Sequence, residues 1–378
     1  MDGKGLGSIA ASFWELEDPR VEGRCTYPLM EILTIAICAA VAGANSWVDV
    51  ETFGHSKAGW LKQFLALENG IPSHDTFGDV FRLIDGEAFQ RCFMRWVEGV
   101  FQVTRGQVIA VDGKTVRRSH DKGRGKGAIH LVNAWASANG LTLGQRKVDD
   151  KSNEITAIPD LLEVLSIHGC IVTVDAMGCQ KDIAQVIRDG KANYVLRVKD
   201  NQAHLLQDVQ DWFAYADQVG FAGMSHDYAQ TVNKGHGRID IRRCWTVADP
   251  LAFEVIRHYD GWADLHSIIR IERERRIADK VERDVHFYIS SLPANAALVL
   301  HAVRQHWAVE NSLHWVLDVV FREDDARLRM DDAAQNMAVV RHIALNILKA
   351  DPSNHSLAQK RFRAALDDSF LLKLLSRF

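Results

Sequence analysis

No two of the six cysteines in this 378-residue chain form a Cys-x-x-Cys step. Cys25, Cys38, Cys92, Cys170, Cys179 and Cys244 are scattered, mostly among apolar residues. That is the pattern of reduced, buried thiols, not of a zinc site or a disulfide framework. A long hydrophobic run is missing as well. The longest, Ile32 to Ala44, is about 13 residues between Glu31 and Asn45, too short for a bilayer and suited to a buried helix. The opening MDGKGLGS does not read as a signal peptide, so the expectation is a cytoplasmic protein with no membrane contact. There is no Walker-type glycine loop, so ATP is not implied. There is no Gly-x-Ser-x-Gly or Cys/His signature, so a covalent protein intermediate is not implied either. Positive charge is not in excess: the formal net charge is −4. Any attraction to nucleic acid must then come from local patches. Internal repeats and low-complexity segments are absent.

What is present is ordinary soluble-protein material: 25% charged and 47% hydrophobic residues, enough for two or three domains. The first hundred residues predict helices: Leu29–Ala44 after Pro28, Val48–Leu67, Thr76–Ile84 capped by Ser73, and Glu87–Thr104. Their aromatic residues (Trp47, Trp60, Phe64, Phe77, Phe81, Phe93, Trp96) supply a core. From about residue 106 the pattern changes. Strands are expected at Gln107–Val111, Ile129–Ala136 and Leu141–Lys147, then a helix at Ile155–Leu165 and a strand ending at Asp175. A helix at Lys181–Asp189 and a strand at Tyr194–Val198 complete a β-β-β-α-β-α-β order, that of a mixed α/β layer. A helix at His204–Trp212 and wet antiparallel strands follow: Gln230–Val232, Arg238–Val247, Phe253–Tyr259, Ser267–Arg276 and Val281–Ser290. They read as an insertion that splits the core. A long helix Ala297–Phe321 returns to it, and helices Asp331–Lys349 and Ser356–Leu375 end the chain.

Two apolar, β-branched runs end in aspartate: Val108-Ile109-Ala110-Val111-Asp112 and Ile171-Val172-Thr173-Val174-Asp175. Each aspartate alone also reads as a turn residue. Together, on neighbouring strands, their carboxylates would converge at one open sheet edge, where hard oxygen ligands can share divalent cations. A third acid, Glu310, lies on the long helix, in the His306, Glu310, His314, Asp318 series with a spacing of four. That row faces either a cleft or solvent. Two strand-end aspartates and a late helical glutamate are the skeleton of an RNase H-like phosphoryl-transfer site. The His/Glu/His row also admits zinc, but the spacing is not His-Glu-x-x-His and no cysteine assists. Three carboxylates favour Mg²⁺ or Mn²⁺, in a pair that activates water or a 3′-hydroxyl and stabilises the leaving oxygen.

Basic residues gather where a phosphate backbone would pass: Lys114, Arg117, Arg118, Lys122, Arg124 and Lys126 after the first aspartate, and Lys199 and Asn201 after Val198. Lys234, Arg238, Arg242 and Arg243 form a further group in the insertion. Such groups hold backbone without reading sequence. The alternative is a solvated charged loop.

Four stretches together resemble a known family. They are Tyr27-Pro28-Leu29 to Gly43-Ala44 with Gly70-Ile71-Pro72-Ser73-His74-Asp75-Thr76-Phe77; Val111-Asp112-Gly113-Lys114; Lys151-Ser152-Asn153-Glu154-Ile155 with Asp175-Ala176-Met177 and Lys199-Asp200-Asn201-Gln202; and His306-Trp307 through Glu310-Asn311, Leu313-His314-Trp315 and Leu317-Asp318-Val319. The chain resembles the H-repeat-associated DDE transposases of bacterial insertion sequences. The resemblance implies an α/β, RNase H-like mixed-sheet core over residues 105–378, interrupted by a mainly β insertion at about 205–292. An all-helical module at 1–104 precedes it and is a candidate reader of element ends. It implies Asp112, Asp175 and Glu310 as catalytic, metal-binding residues with Mg²⁺ or Mn²⁺, two ions. Glu323 and Asp324 are weaker candidates, because no lysine follows Glu310 where relatives carry a Tyr–Arg–Glu–Lys signature; Arg304 and His306 precede it, and His314 and Asp318 follow. Contacts to DNA are expected from Lys114, Arg117, Arg118, Lys199, Asn201, Arg238, Arg304, His306 and His314. The partners implied are double-stranded DNA (terminal inverted repeats and target) and a second copy, as a homodimer on DNA in the nucleoid. The reaction implied is metal-dependent strand cleavage and strand transfer. A decayed, DNA-binding descendant and a nuclease without strand transfer are the alternatives.

Overall fold

A computed structural model describes residues 4–101, 105–120, 127–148, 154–235 and 237–377. In chain order the elements begin with helices α1 (Lys4–Phe13), α2 (Leu29–Val41), α3 (Trp47–Ser56), α4 (Ala58–Leu61), α5 (His74–Leu83) and α6 (Gly86–Val100). Next come β1 (Val108–Thr115), β2 (His130–Ala136), β3 (Leu141–Val148), α7 (Glu154–Glu163), β4 (Ile171–Val174), α8 (Lys181–Asp189), β5 (Asn193–Val198) and α9 (Ala203–Gln218). The insertion continues with β6 (His226–Gly235), β7 (Arg238–Val247), α10 (Pro250–Val255), β8 (Ser267–Ile277) and β9 (Lys280–Ser290). The chain closes with α11 (Ala296–Val309), α12 (Trp315–Val319), α13 (Ala333–Lys349), α14 (Leu357–Leu366) and α15 (Asp368–Leu375). This is a mixed α/β protein with helices at the N-terminus, as the sequence predicts. No helix among the described residues is long and apolar enough to cross a membrane.

The contacts group these elements into two compact units: residues 1–102, 113–153 and 310–378, and residues 103–112 and 154–309. Strand β1 runs from the second into the first.

In the first unit the helices start where short polar side chains meet orphan N–H groups. Ser46 and Asp49 make a reciprocal capping box on α3, Ser73 caps α5 and Asp85 caps α6. Helix α13 is the axis of this unit. It is buried along almost its whole length and packs against α2, α5, α6, β3, α14 and α15. Phe77, Phe81, Phe89, Phe93 and Trp96 are fully buried around it. Two expected long helices are broken instead. The Val48–Leu67 helix stops at Lys57, whose ammonium lies 2.6 Å from Asp368, while Trp60 and Leu61 turn inward on the single turn α4. The Ser356–Leu375 helix breaks at Asp367, whose carboxylate accepts the Phe370 N–H at 3.0 Å and so starts α15 anew.

The second unit is a twisted mixed sheet in the order β1-β4-β5-β9-β8-β7-β6. Strands β1, β4 and β5 are parallel, and the β9 edge of the insertion pairs antiparallel with β5, Val198 opposite Phe287. The insertion therefore extends the sheet. The strand expected at Phe253–Tyr259 is not formed. Asp249 accepts the Leu251 N–H at 3.0 Å, Pro250 supplies a fixed first-turn φ, and α10 results.

Candidate metal centre and nucleic-acid interface

The aspartates are positioned by strand register. Val108 to Val111 of β1 stand opposite Ile171 to Val174 of β4 in parallel. The next residue on each strand is an aspartate, so Asp112 and Asp175 leave neighbouring strands at the same end and on the same face. β1 does not stop there, as the sequence suggests, but continues to Thr115. The chain after Asp175 does turn. Its Oδ1 accepts N–H groups of Met177 at 3.0 Å and Gly178 at 3.4 Å, an Asx-type turn. Gly178 is required by space: a Cβ there would stand 2.2 Å from Val174 Cγ1. Asn201 braces this turn by donating to the Ala176 carbonyl at 2.8 Å, and Gln202 donates to the Cys179 carbonyl at 3.0 Å. Asn201, expected on DNA, thus has a structural contact already, whereas Lys199 is exposed beyond the end of β5.

Helix α11 covers the apolar part of the face that carries the aspartates. Val299, Leu300, Ala302 and Val303 share a buried cluster with Val108, Ile171, Val195, Ile269, Ile271 and Tyr288. Its last turns bring His306 Nδ1 to 3.0 Å from Thr173 Oγ1, two residues before Asp175 on the same face. Arg304 and Trp307 remain exposed.

In the first unit, Glu310–His314 form a π-helical turn leading into α12. Such turns, rare and often functional, insert one residue and rotate the helix beyond them. Two members of the expected polar row, Glu310 and His314, stay side by side through this turn. The Glu310 side chain is 63% exposed and that of His314 only 8%, with Oε2 and Nδ1 3.6 Å apart. Burial holds the His314 pKa below its ordinary value against the opposing pull of Glu310, which leaves a neutral imidazole with a lone pair to offer a metal.

Lys114 is placed differently from a phosphate-binding lysine. Its side chain is 7% exposed, with Nζ 2.6 Å from Asp318 and 2.8 Å from Glu323. Glu323 is fully buried and also faces Arg341 at 3.5 Å. Burial alone would raise the Glu323 pKa, but Lys114 and Arg341 outweigh it and hold it below the usual carboxylate range. Burial would lower the Lys114 pKa, but Glu323 and Asp318 outweigh it and raise it. Glu323 is therefore the buried anion of an ion network, and Asp324 pairs with Arg117 at 3.3 Å. Strand alternation is the signal for this network that charge counting missed. Residues 110, 112 and 114 of one strand share a face, so Lys114 follows Asp112 and not the solvated loop. Arg118 lies 3.8 Å from Asp325, and Arg238 lies 3.2 Å from Asp240. Lys122, Arg124 and Lys126 lie outside the described residues.

Residues 104–347 match the family described as "Transposase DDE domain", and residues 10–97 match the one described as "DDE_Tnp_1-associated". A protein named "Putative transposase YncI" from Escherichia coli O157:H7 is 38% identical over 367 residues, which covers 96% of this chain and 92% of the relative. The "H repeat-associated putative transposase YhhI" of Escherichia coli K12 is 40% identical over 366 residues, 96% of each chain. Among solved structures, the synaptic complex of piggyBac transposase with hairpin DNA aligns with 98% of this chain and 78% of that one, at TM-score 0.43 and 10% identity. The family match spans well over half of the sequence and the relatives span nearly all of it, so the chain belongs to the DDE-domain transposase family, alongside the H-repeat-associated proteins.

Proposed function

We propose that this protein is a metal-dependent DNA transposase that cleaves the ends of its own insertion sequence and joins the freed 3′-hydroxyls to target DNA. The observation that carries this reading is the placement of Asp112 and Asp175 at one end and on one face of paired parallel strands. The donor chemistry fits hard divalent ions: Asp112 and Asp175 offer two carboxylates from the paired strands, and Glu310, with His314 beside it, offers a third carboxylate and an imidazole. Mg²⁺ or Mn²⁺ held by these groups would supply Lewis acidity for activating water or a 3′-hydroxyl and for stabilising the leaving oxygen.

The remaining roles belong to the chain. Asn201 and the Asx turn hold the Asp175 carboxylate in place. The His306–Thr173 contact fixes the end of α11, one turn before Glu310 in sequence. The Lys114–Asp318–Glu323 network fixes the helix that follows Glu310. Lys199, Arg304 and the exposed Arg117, Arg118 and Arg238 are offered to DNA phosphates. The protein would act in the bacterial cytoplasm, as a homodimer that holds two element ends in the nucleoid.

The test is cleavage and strand transfer by the purified full chain on DNA bearing its element ends, with Mg²⁺ or Mn²⁺, with EDTA, and with Asp112→Asn and Asp175→Asn. Products should require metal and vanish in both variants while end binding persists. Full strand transfer by either variant would overturn the site. Cut but never joined DNA would make the protein a nuclease, and binding without any product a decayed transposase.

A further inference from the structure

The face of the sheet that carries the two aspartates continues across β5, β9, β8 and β7. Register locates its members. Val174 stands opposite Leu196, so Arg197 follows on β5 at the level of Asp175 and on the same face. Arg197 stands opposite Tyr288, Tyr288 opposite Ile269, and β8 then runs eight residues further to Ile277. Strands β7 to β9 therefore overhang the aspartate end of the sheet by about 26 Å, at about 3.3 Å per residue. On this overhang, Arg242 stands opposite Arg273, and Asp240 opposite Arg275, in the same alternation that places Cys244 and Ile271 beneath α11.

On this face of the overhang Arg238, Arg242, Arg273, Arg275 and Lys280 outnumber the acids Asp240, Glu282 and Asp284. Asp240 is 4% exposed and is shared by three guanidiniums: Arg275 at 2.9 Å, Arg238 at 3.2 Å and Arg273 at 3.8 Å. Asp284 reaches Arg273 only at 3.9 Å. Arg242 has Asn233 as a hydrogen-bond partner at 3.3 Å. Burial lowers its pKa first, and the nearby charges of Arg304, Arg273 and Arg275 lower it further against Asp240. Crowding like charges costs free energy unless an anion joins them. A row of planar guanidiniums suits phosphate oxygens.

We propose that Arg197, Arg238, Arg242, Arg273, Arg275 and Arg304 form a phosphodiester track that leads DNA backbone across the overhang to the two aspartates. The proposal rests on the reading of this protein as acting on DNA, and names the part of the insertion that does so.

The experiment measures binding of the full chain to a short duplex of arbitrary sequence, in EDTA so that no strand is cut, as a function of salt. Each phosphate contact contributes about 0.9 to the slope of log K against log salt. R242Q/R273Q should lower that slope by about 2, and R242K/R273K should restore it, which separates lost charge from misfolding. R276Q/R283Q, on the opposite face of β8 and β9, should leave the slope unchanged. An unchanged slope in R242Q/R273Q, or an equal loss from the opposite face, overturns the track. Wild-type protein that shows the predicted slopes but makes no metal-dependent product on its element ends would fail the transposase reading and leave the track standing; products together with an unmoved slope would do the reverse.

Discussion

At the scale of single residues, Lys114 and Glu323 show why a charge is worth little as a clue until its surroundings are known. An exposed lysine two residues after a strand-end aspartate reads as a phosphate ligand. A lysine 7% exposed between Asp318 and Glu323 is a structural cation. Removing one partner of a buried pair costs about 3–5 kcal/mol, because the other is left charged and unsolvated. Lys114→Met should destabilise the protein by that order, read as a lower midpoint in urea. Adding Glu323→Leu should recover nothing, because it strands the buried Arg341 guanidinium that lies 3.5 Å from Glu323. A single variant as stable as wild type would mean that Glu323 finds another cation or takes up a proton.

At the scale of elements, α13 is held to the hairpin of β2 and β3 by more than apolar packing. Asn346 donates to the Thr142 carbonyl and accepts from the Thr142 N–H, both at 2.9 Å, deep in the first unit. Asn336 donates to the Phe81 and Ile84 carbonyls at 2.8 Å and so finishes α5. A buried backbone group left without a partner costs about 1–3 kcal/mol. Asn346→Leu strands two such groups on β3, so about 2–6 kcal/mol of stability should be lost, again read by urea denaturation. Asn346→Asp keeps the acceptor but sets a buried carboxylate against the Thr142 carbonyl, and should cost at least as much. Equal stability of Leu and Asn at 346 would show that β3 does not rely on this contact. Arg361 does the same at the C-terminal end of α2, where it donates to the Ala40 and Ala44 carbonyls and lies 4.3 Å over Phe321.

For the whole molecule, the division into units bears on how the N-terminal helices can be studied. Residues 1–102 share their unit with residues 113–153 and 310–378, and α2, α5 and α6 bury their apolar faces on α13. A fragment of residues 1–102 would expose that surface to water. It should show helical signal without a cooperative thermal transition, measured by circular dichroism and calorimetry. A fragment that unfolds cooperatively would instead support a self-sufficient N-terminal module, the reading that the helical pattern of the first hundred residues invites. Substitutions within the full chain are thus the better probe of whether these helices read element ends.

The sequence by itself determined the local elements and the two strand aspartates. Short apolar runs rich in Val and Ile that end at a turn signal read as buried strands, and a carboxylate directly after one is legible from the sequence. The same holds for the start of α5, which carries Ser73 as its cap. Family likeness, carried by four ordered motifs, was legible too. Only tertiary structure decided which charges face water. It turned Lys114 inward, gave Asn201 to the Asp175 turn and His306 to Thr173, and buried His314 while leaving Glu310 beside it exposed. It also decided that the insertion continues the sheet through β5 and β9, which brings Arg242 and Arg273 onto the face of the aspartates. The physical reason is the same in each case. Periodicity along a chain fixes the face on which a side chain lies within its own element, but the cost or gain of a charge there depends on what a distant segment places opposite it.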